Sequence, residues 1–197
     1  MREAHNIEQV GALPIDYMGF IFYEKSPRHA STLPALQLPH TIQKVGVFVN
    51  ASTAEILQRV AEHKLNAVQL HGGESPAQCE ELRKEGLLLF KAFGIAQDFD
   101  WTVLQPYLPV VDYFLFDTKS VQYGGTGKTF DWKVLNLYPY ENPYFLSGGL
   151  ALENITQAIN IDDARLVGLD LNSKFEIAPG LKDIEKLTQA VKLIKDE

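Results

Sequence analysis

The sequence predicts an α/β chain of the (β/α)8 TIM-barrel class, with the first strand of the barrel missing from this chain. Three observations predict it. Short apolar runs rich in β-branched and aromatic residues alternate with longer segments whose apolar residues recur three and four apart, the pattern of βα units. Most of the short runs are continuously apolar, as parallel strands buried on both faces require. Polar and glycine-rich stretches collect after the strands, as in Glu24-Lys25-Ser26-Pro27-Arg28, His71-Gly72-Gly73-Glu74, Asp117 to Lys128, Ser147-Gly148-Gly149 and Asn172 to Gly180. A barrel builds its functional face from such loops. An open dinucleotide-binding sheet would instead carry a G-x-G-x-x-G turn after its first strand, and none occurs.

In chain order, Arg2 to Leu13 reads as a helix with Ile7 and Val10 as its apolar positions. Strands are expected at Tyr17 to Phe22, Val45 to Asn50, Ala67 to Leu70, Leu87 to Phe93, Tyr113 to Asp117, Tyr144 to Ser147 and Leu166 to Leu171. Helices fall between them. Thr53 to His63 follows the cap residue Ser52 and places Ile56, Leu57 and Val60 on one face. Pro76 to Glu85 starts with Ser75 as cap and Pro76 at its first position. Asp131 to Leu137 and Leu152 to Ile159 are shorter, and Leu181 to Lys195 carries Ile184, Leu187, Val191 and Ile194 at helical spacing before lysines that suit the helix dipole. Strand starts lie 20 to 31 residues apart with no linker between them, so residues 1–197 form a single domain. The array opens on a helix, ahead of the first of the seven strands. The strands at Tyr17 and Leu166 are then left as exposed edges, which favours self-association through them, aggregation or disorder near Met1 to Leu13. A monodisperse monomer of high melting temperature in light scattering counts against that expectation.

Composition narrows the function. The 197 residues hold 18 Lys plus Arg against 25 Asp plus Glu, a net charge of −7 that gives no support to a nucleic-acid partner. A small anionic ligand needs only a few local donors. The single cysteine, Cys79, cannot form an intramolecular disulfide, and no Cys/His cluster has zinc spacing. No run approaches the length of a membrane span and the first residues are polar, so a cytoplasmic protein with no membrane partner is expected. The sequons at Asn50 and Asn154 are then chance matches.

Several side chains could carry chemistry. Asp117 closes the run Tyr113 to Phe116, so an apolar strand delivers a carboxyl to the rim, where it serves either as a proton donor or as a cap for the next loop. Arg28 offers a planar fork for a carboxylate, or a solvated loop charge. Gly148 and Gly149, with Asn172 and Ser173, follow the last two strands, where barrels bind phosphate through backbone N–H groups. Gln69 and His71 alternate with Val68 and Leu70, pointing either into the mouth of the barrel or into the core as a satisfied polar pair. The Gly124-Gly125-Thr126-Gly127-Lys128-Thr129 segment lacks the earlier glycine of a nucleotide P-loop, since Gln122 stands there, and reads as a glycine-rich loop after a strand. His71-Gly72-Gly73 has no nucleophile elbow to make it an oxyanion turn. Cys79 belongs to an outer helix.

Together these segments resemble the phosphoribosylanthranilate isomerases of tryptophan biosynthesis, over nearly the whole chain. The likeness is carried by Gly19-Phe20-Ile21-Phe22-Tyr23-Glu24-Lys25-Ser26-Pro27-Arg28, Val45 to Asn50, Val68-Gln69-Leu70-His71-Gly72, Asp117-Thr118-Lys119, Gly124 to Trp132 and Ser147-Gly148-Gly149-Leu150. The resemblance implies a (β/α)8 barrel performing an Amadori rearrangement of a small phosphorylated substrate, with no metal and no organic cofactor. It implies that Asp117 protonates the furanose ring oxygen, that a cysteine thiolate on strand one removes the proton from C2, and that Arg28 holds the anthranilate carboxylate. It further implies that Asp170 lies near the substrate and that Gly148, Gly149 and Ser173 fall in the phosphate-binding loops; with the residue reading above, Gln69 and His71 are expected to contact the substrate and Asn172 the phosphate. Members begin with a strand of the type Lys-Val-Cys-Gly-Met, whereas this chain starts at what corresponds to that final Met. The expectation is a start codon placed too late, with the cysteine base absent and turnover negligible. An N-terminus at Met1 in the native protein, read by mass spectrometry, counts against it. Lys174 stands where many members have Gly. The competing class is a barrel that binds a phosphorylated ligand without turning it over, for which a stop codon just upstream of Met1 is the sign.

Overall fold

The structure, a computed structural model, describes residues 1–34, 38–118 and 131–195. Seven strands form one parallel sheet in sequence order: β1 (Tyr17–Ile21), β2 (Gln43–Phe48), β3 (Ala67–Leu70), β4 (Leu88–Ile95), β5 (Tyr113–Thr118), β6 (Tyr144–Leu146) and β7 (Leu166–Leu169). The sheet is curled. Flat strands about 4.8 Å apart would hold β1 and β6 roughly 24 Å from each other. Instead the Tyr17 ring of β1 lies 5.6 Å from Phe145 of β6 and 5.3 Å from Phe90 of β4, edge on. Phe90, Tyr113 and Phe145 complete this aromatic plug at centroid distances of 5.0–5.3 Å, with Val45 and Ala67 packed into it. Such a layer fills the inside of a barrel with side chains from alternate positions.

The opposite faces of the strands are buried under helices. These are α1 (Ala4–Gly11), α2 (Thr53–His63), α3 (Pro76–Lys84), α4 (Leu152–Ile159) and α5 (Ile184–Lys195). Met18, Phe20, Phe48, Leu70, Leu89, Phe114 and Leu146 meet Ile7, Ile56, Leu82, Ile155 and Leu187 in one core. Ser52 and Ser75 cap α2 and α3 as expected, their hydroxyls accepting from Glu55 N and Gln78 N at 3.2 Å. No helix among the described residues is long and apolar enough to cross a membrane.

Three expected segments differ. Leu181 and Lys182 do not begin the last helix: they form β9 (Leu181–Lys182), antiparallel to β8 (Glu176–Ala178). The side-chain amide of Asn6 in α1 decides this, accepting from Lys182 N at 2.7 Å and donating to Lys182 O at 2.9 Å as a neighbouring strand would. Asp183 then caps α5 through Lys186 N. Asp131 to Leu137 becomes a 3₁₀-helix over Trp132–Leu137, with the Asp131 carboxylate on Lys133 N. The second strand runs two residues earlier than expected: it starts at Gln43, paired with Tyr17, and ends before Asn50, which takes a left-handed φ of 55°. The first helix is shorter at both ends, and residues 1–13 are described and packed, Met1 and Ile7 being buried.

Within the described residues, β1 pairs in the sheet only with β2, and β7 only with β6. The Met1 amino group donates to Gly19 O of β1 at 3.2 Å. Val167 of β7 is 49% exposed, unlike the apolar residues of the inner strands.

Candidate active site

Parallel strands deliver their C-terminal ends to one rim, and a cavity of about 710 Å³ opens there and continues down the seam between β1 and β7. It is lined by Asp117 from β5, Gln69 from β3 and His71 just after it, Arg28 from the loop after β1, and Asp170 beyond β7. Gly148, Gly149, Asn172 and Ser173 line the same space. All nine residues singled out in the sequence therefore face one cavity. The Gly124 to Lys128 segment lies outside the described residues.

Asp117 is fixed through one oxygen. Thr118 N donates to Oδ1 at 2.7 Å, leaving Oδ2 toward His71 Nε2 at 3.4 Å. The other imidazole nitrogen, Nδ1, meets Gln69 Oε1 at 3.0 Å. Gly148, at φ 85°, crosses directly over the carboxyl: a Cβ there would fall on Asp117 Oδ1, Thr118 N and Thr118 Oγ1. Only glycine accepts both the left-handed backbone and that approach. Gly148→Ala is expected to cost about 2–4 kcal/mol in urea unfolding, from strain plus overpacking, and to move Asp117 off its place.

Asp170 lines the cavity just beyond β7, where Ser147 Oγ donates to its Oδ2 at 3.2 Å. The open cavity leaves part of the residue accessible, yet protein surrounds the carboxyl. Burial holds it above the usual carboxylate range; Lys182 opposes that and the nearby Asp117 adds to it. The folded protein thus keeps a proton that the unfolded chain releases, so stability falls as pH rises from about 3.9, the unfolded value, through the raised folded one. Asp170→Asn should raise Tm at pH 7 by about 2–4 °C, the change that ~1 kcal/mol produces in a domain of this size. The gain should vanish below pH ~3.9, where both states are protonated.

Arg28 is already held. Its Nε and Nη2 both reach Glu176 Oε2 at 2.8 Å, and Ser26 Oγ accepts from its backbone N–H at 3.1 Å. Glu176 also lies 3.6 Å from Lys182 Nζ, which donates to Asn172 Oδ1 at 2.9 Å and to the carbonyls of Leu171 and Asn172 at 3.2 Å. One buried lysine therefore ties the loop at Asn172 to the residue that holds Arg28. Burial lowers the Lys182 ammonium despite its carboxylate neighbours. Lys174 is exposed on the short 3₁₀-helix Ser173–Phe175.

A second buried pair supports the loop carrying His71. Lys91 of β4 lies in the apolar layer behind the sheet, 1% exposed. Its Nζ donates to Gly72 O at 2.8 Å, Leu70 O at 3.2 Å and Glu74 Oε2 at 3.1 Å. Glu74 in turn accepts from Asn50 N at 2.8 Å and Gly72 N at 2.9 Å. Sequence reasoning missed Lys91, Glu74, Glu176, Lys182 and Asn6. The one available signal was Lys91, a lone charge inside the run Leu88 to Ile95. Cys79 behaves as expected: it is fully buried on α3, outside the cavity, with its thiol pushed up to about 11 by burial.

The chain matches the family model described as N-(5'phosphoribosyl)anthranilate (PRA) isomerase over residues 1–193. It is 47% identical over 199 residues to an N-(5'-phosphoribosyl)anthranilate isomerase of Parabacteroides distasonis, covering 98% of this chain and 90% of that protein. A protein of the same name from Phocaeicola vulgatus is 44% identical, with 93% and 89% covered. Among solved structures, phosphoribosyl anthranilate isomerase from Thermotoga maritima superposes with a TM-score of 0.87 at 34% identity, covering 100% of this chain and 96% of that one. A phosphoribosyl anthranilate isomerase in complex with reduced 1-(o-carboxyphenylamino)-1-deoxyribulose 5-phosphate superposes with a TM-score of 0.79 at 32% identity, covering 98% and 91%.

Proposed function

The chain belongs to the N-(5'-phosphoribosyl)anthranilate isomerase family, and from that premise we propose that it rearranges N-(5-phosphoribosyl)anthranilate to 1-(2-carboxyphenylamino)-1-deoxyribulose 5-phosphate in tryptophan biosynthesis. Acid and base suffice for the two proton shifts. Asp117 gives a proton to the furanose oxygen, the ring opens to a Schiff base, and a base then removes the C2 proton. The observation that carries this reading is the convergence of a carboxyl, an arginine fork and two backbone-rich loops on one cavity of about 710 Å³.

Arg28, steadied by Glu176, takes the anthranilate carboxylate. Its planar donors suit a carboxylate better than a lysine would. Gly148 and Gly149, left-handed at φ 85° and 69°, take the phosphate with Asn172 and Ser173 through backbone N–H groups. Gln69, His71 and Asp170 border the sugar.

The barrel closes with one further parallel strand, seated in the seam between β1 and β7 and preceding α1. The free edges of both strands, the donor contact to Gly19 O and the exposed Val167 support this. That strand brings the cysteine base. Without it the free edges favour self-association. Calorimetry with reduced 1-(o-carboxyphenylamino)-1-deoxyribulose 5-phosphate tests the site: Arg28→Ala should weaken binding about 10- to 100-fold, the loss of a charged hydrogen-bonded contact worth roughly 1.5–3 kcal/mol. Unchanged affinity in that variant counts against the assignment. Binding that persists in a strand-complete protein without any turnover would favour a phosphorylated-ligand binder instead.

A further inference from the structure

We propose that Asp117 and His71 hold a single proton between Oδ2 and Nε2, and that the buried Lys91–Glu74 pair is the positioning device that keeps the imidazole there. This rests on the reading of Asp117 as the acid and says which of its oxygens acts, and what reloads it.

Gln69 turns its carbonyl Oε1 to His71 Nδ1 at 3.0 Å. An amide oxygen only accepts, so Nδ1 carries the hydrogen and in a neutral ring Nε2 carries the lone pair. That lone pair faces Asp117 Oδ2 at 3.4 Å. A bare nitrogen opposite a carboxylate oxygen repels it; one proton between them makes the contact attractive, whether it sits on the acid or on the imidazole. Oδ1 is occupied by Thr118 N, so Oδ2 is the oxygen that donates. Asp170, which burial pushes toward its neutral form, is the further carboxyl coupled to both groups, and Lys182 opposes that shift. When Oδ2–H breaks and the proton passes to the furanose oxygen, the pair is left one proton short. His71, whose side chain is 25% exposed, regains it from water and hands it from Nε2 to Oδ2.

His71 is the first residue beyond β3, and its backbone N–H still reaches Phe48 O of β2 at 2.8 Å. The clamp from behind fixes the peptides on either side of it. Lys91 Nζ bonds the carbonyls of Leu70 and Gly72, the residues on either side of His71, while Glu74 accepts from Gly72 N. Desolvating two charges behind a sheet is costly, and an apolar residue of similar length would fill that space without the cost. Stability alone does not account for the pair; a fixed His71 backbone does.

The test is ¹⁵N and ¹H NMR of the histidine rings in the full chain, with Asp117→Asn as the probe. His71 should show the Nδ1–H tautomer, and Asp117→Asn should shift its ring resonances. In a Lys91→Met background that response should fall by half or more while cooperative unfolding persists, which a purely structural role would not produce. Glu74→Gln, which keeps the acceptor for Asn50 N and removes the charge, carries the same comparison should Lys91→Met not fold. An Nε2–H tautomer, a silent Asp117→Asn, or a response unchanged in both backgrounds overturns the proposal. None of these outcomes touches the isomerase reading, which stands on turnover and analogue binding.

Discussion

Extending the chain ahead of Met1 by a Lys-Val-Cys-Gly strand should raise turnover of N-(5-phosphoribosyl)anthranilate by about 10²–10⁴, the usual worth of a positioned general base. The same extension should raise Tm by roughly 5–10 °C, since each apolar side chain it buries is worth about 1.5–3 kcal/mol and each kcal/mol moves Tm by about 2–4 °C. The two gains have separate origins. A Lys-Val-Ser-Gly extension closes the seam without the thiol, so it should keep the rise in Tm and lose the rise in turnover. Light scattering should become monodisperse with either extension, because the free edges of β1 and β7 are then paired. Equal turnover with and without the cysteine contradicts the placement of the base.

In the extended chain, Asp117→Asn should lower kcat by about 10²–10⁴ with little change in KM. Asparagine keeps an oxygen for Thr118 N, which now bonds Oδ1 at 2.7 Å, so the fold and the substrate's anion contacts persist. Only the proton for the ring oxygen is lost. A variant that instead raises KM with kcat intact would make Asp117 a binding residue, and one that changes neither would return the sequence's other reading of it, a loop cap.

The strands were legible because burial on both faces writes itself as continuous apolar runs, and the site followed from them: every parallel strand ends on one rim, so Gln69, Asp117 and Asp170 meet once the runs are placed. Boundaries and short elements were not. Leu181 and Lys182 fit a helix by local spacing, and only the amide of Asn6, 176 residues away in sequence, draws them into a strand. Trp132 to Leu137 has helical residues, but closes as 3₁₀ behind the Asp131 carboxylate. The supports of the site were hidden for the same reason. Lys91 needs Glu74, and Arg28 needs Glu176 at a separation of 148 residues; a pairing between distant segments leaves no periodic trace. The seven strands and their sequential order were legible too, since topology is read from order alone.

The most direct measurement is a crystal structure of the extended chain with the reduced product analogue bound. The account predicts the added strand paired to both β1 and β7, its thiol facing the sugar from one side and Asp117 Oδ2 from the other, the phosphate on the backbone of Gly148, Gly149 and Ser173, and the carboxylate on Arg28. An analogue bound with its phosphate elsewhere, or an extension lying outside the seam, would contradict it.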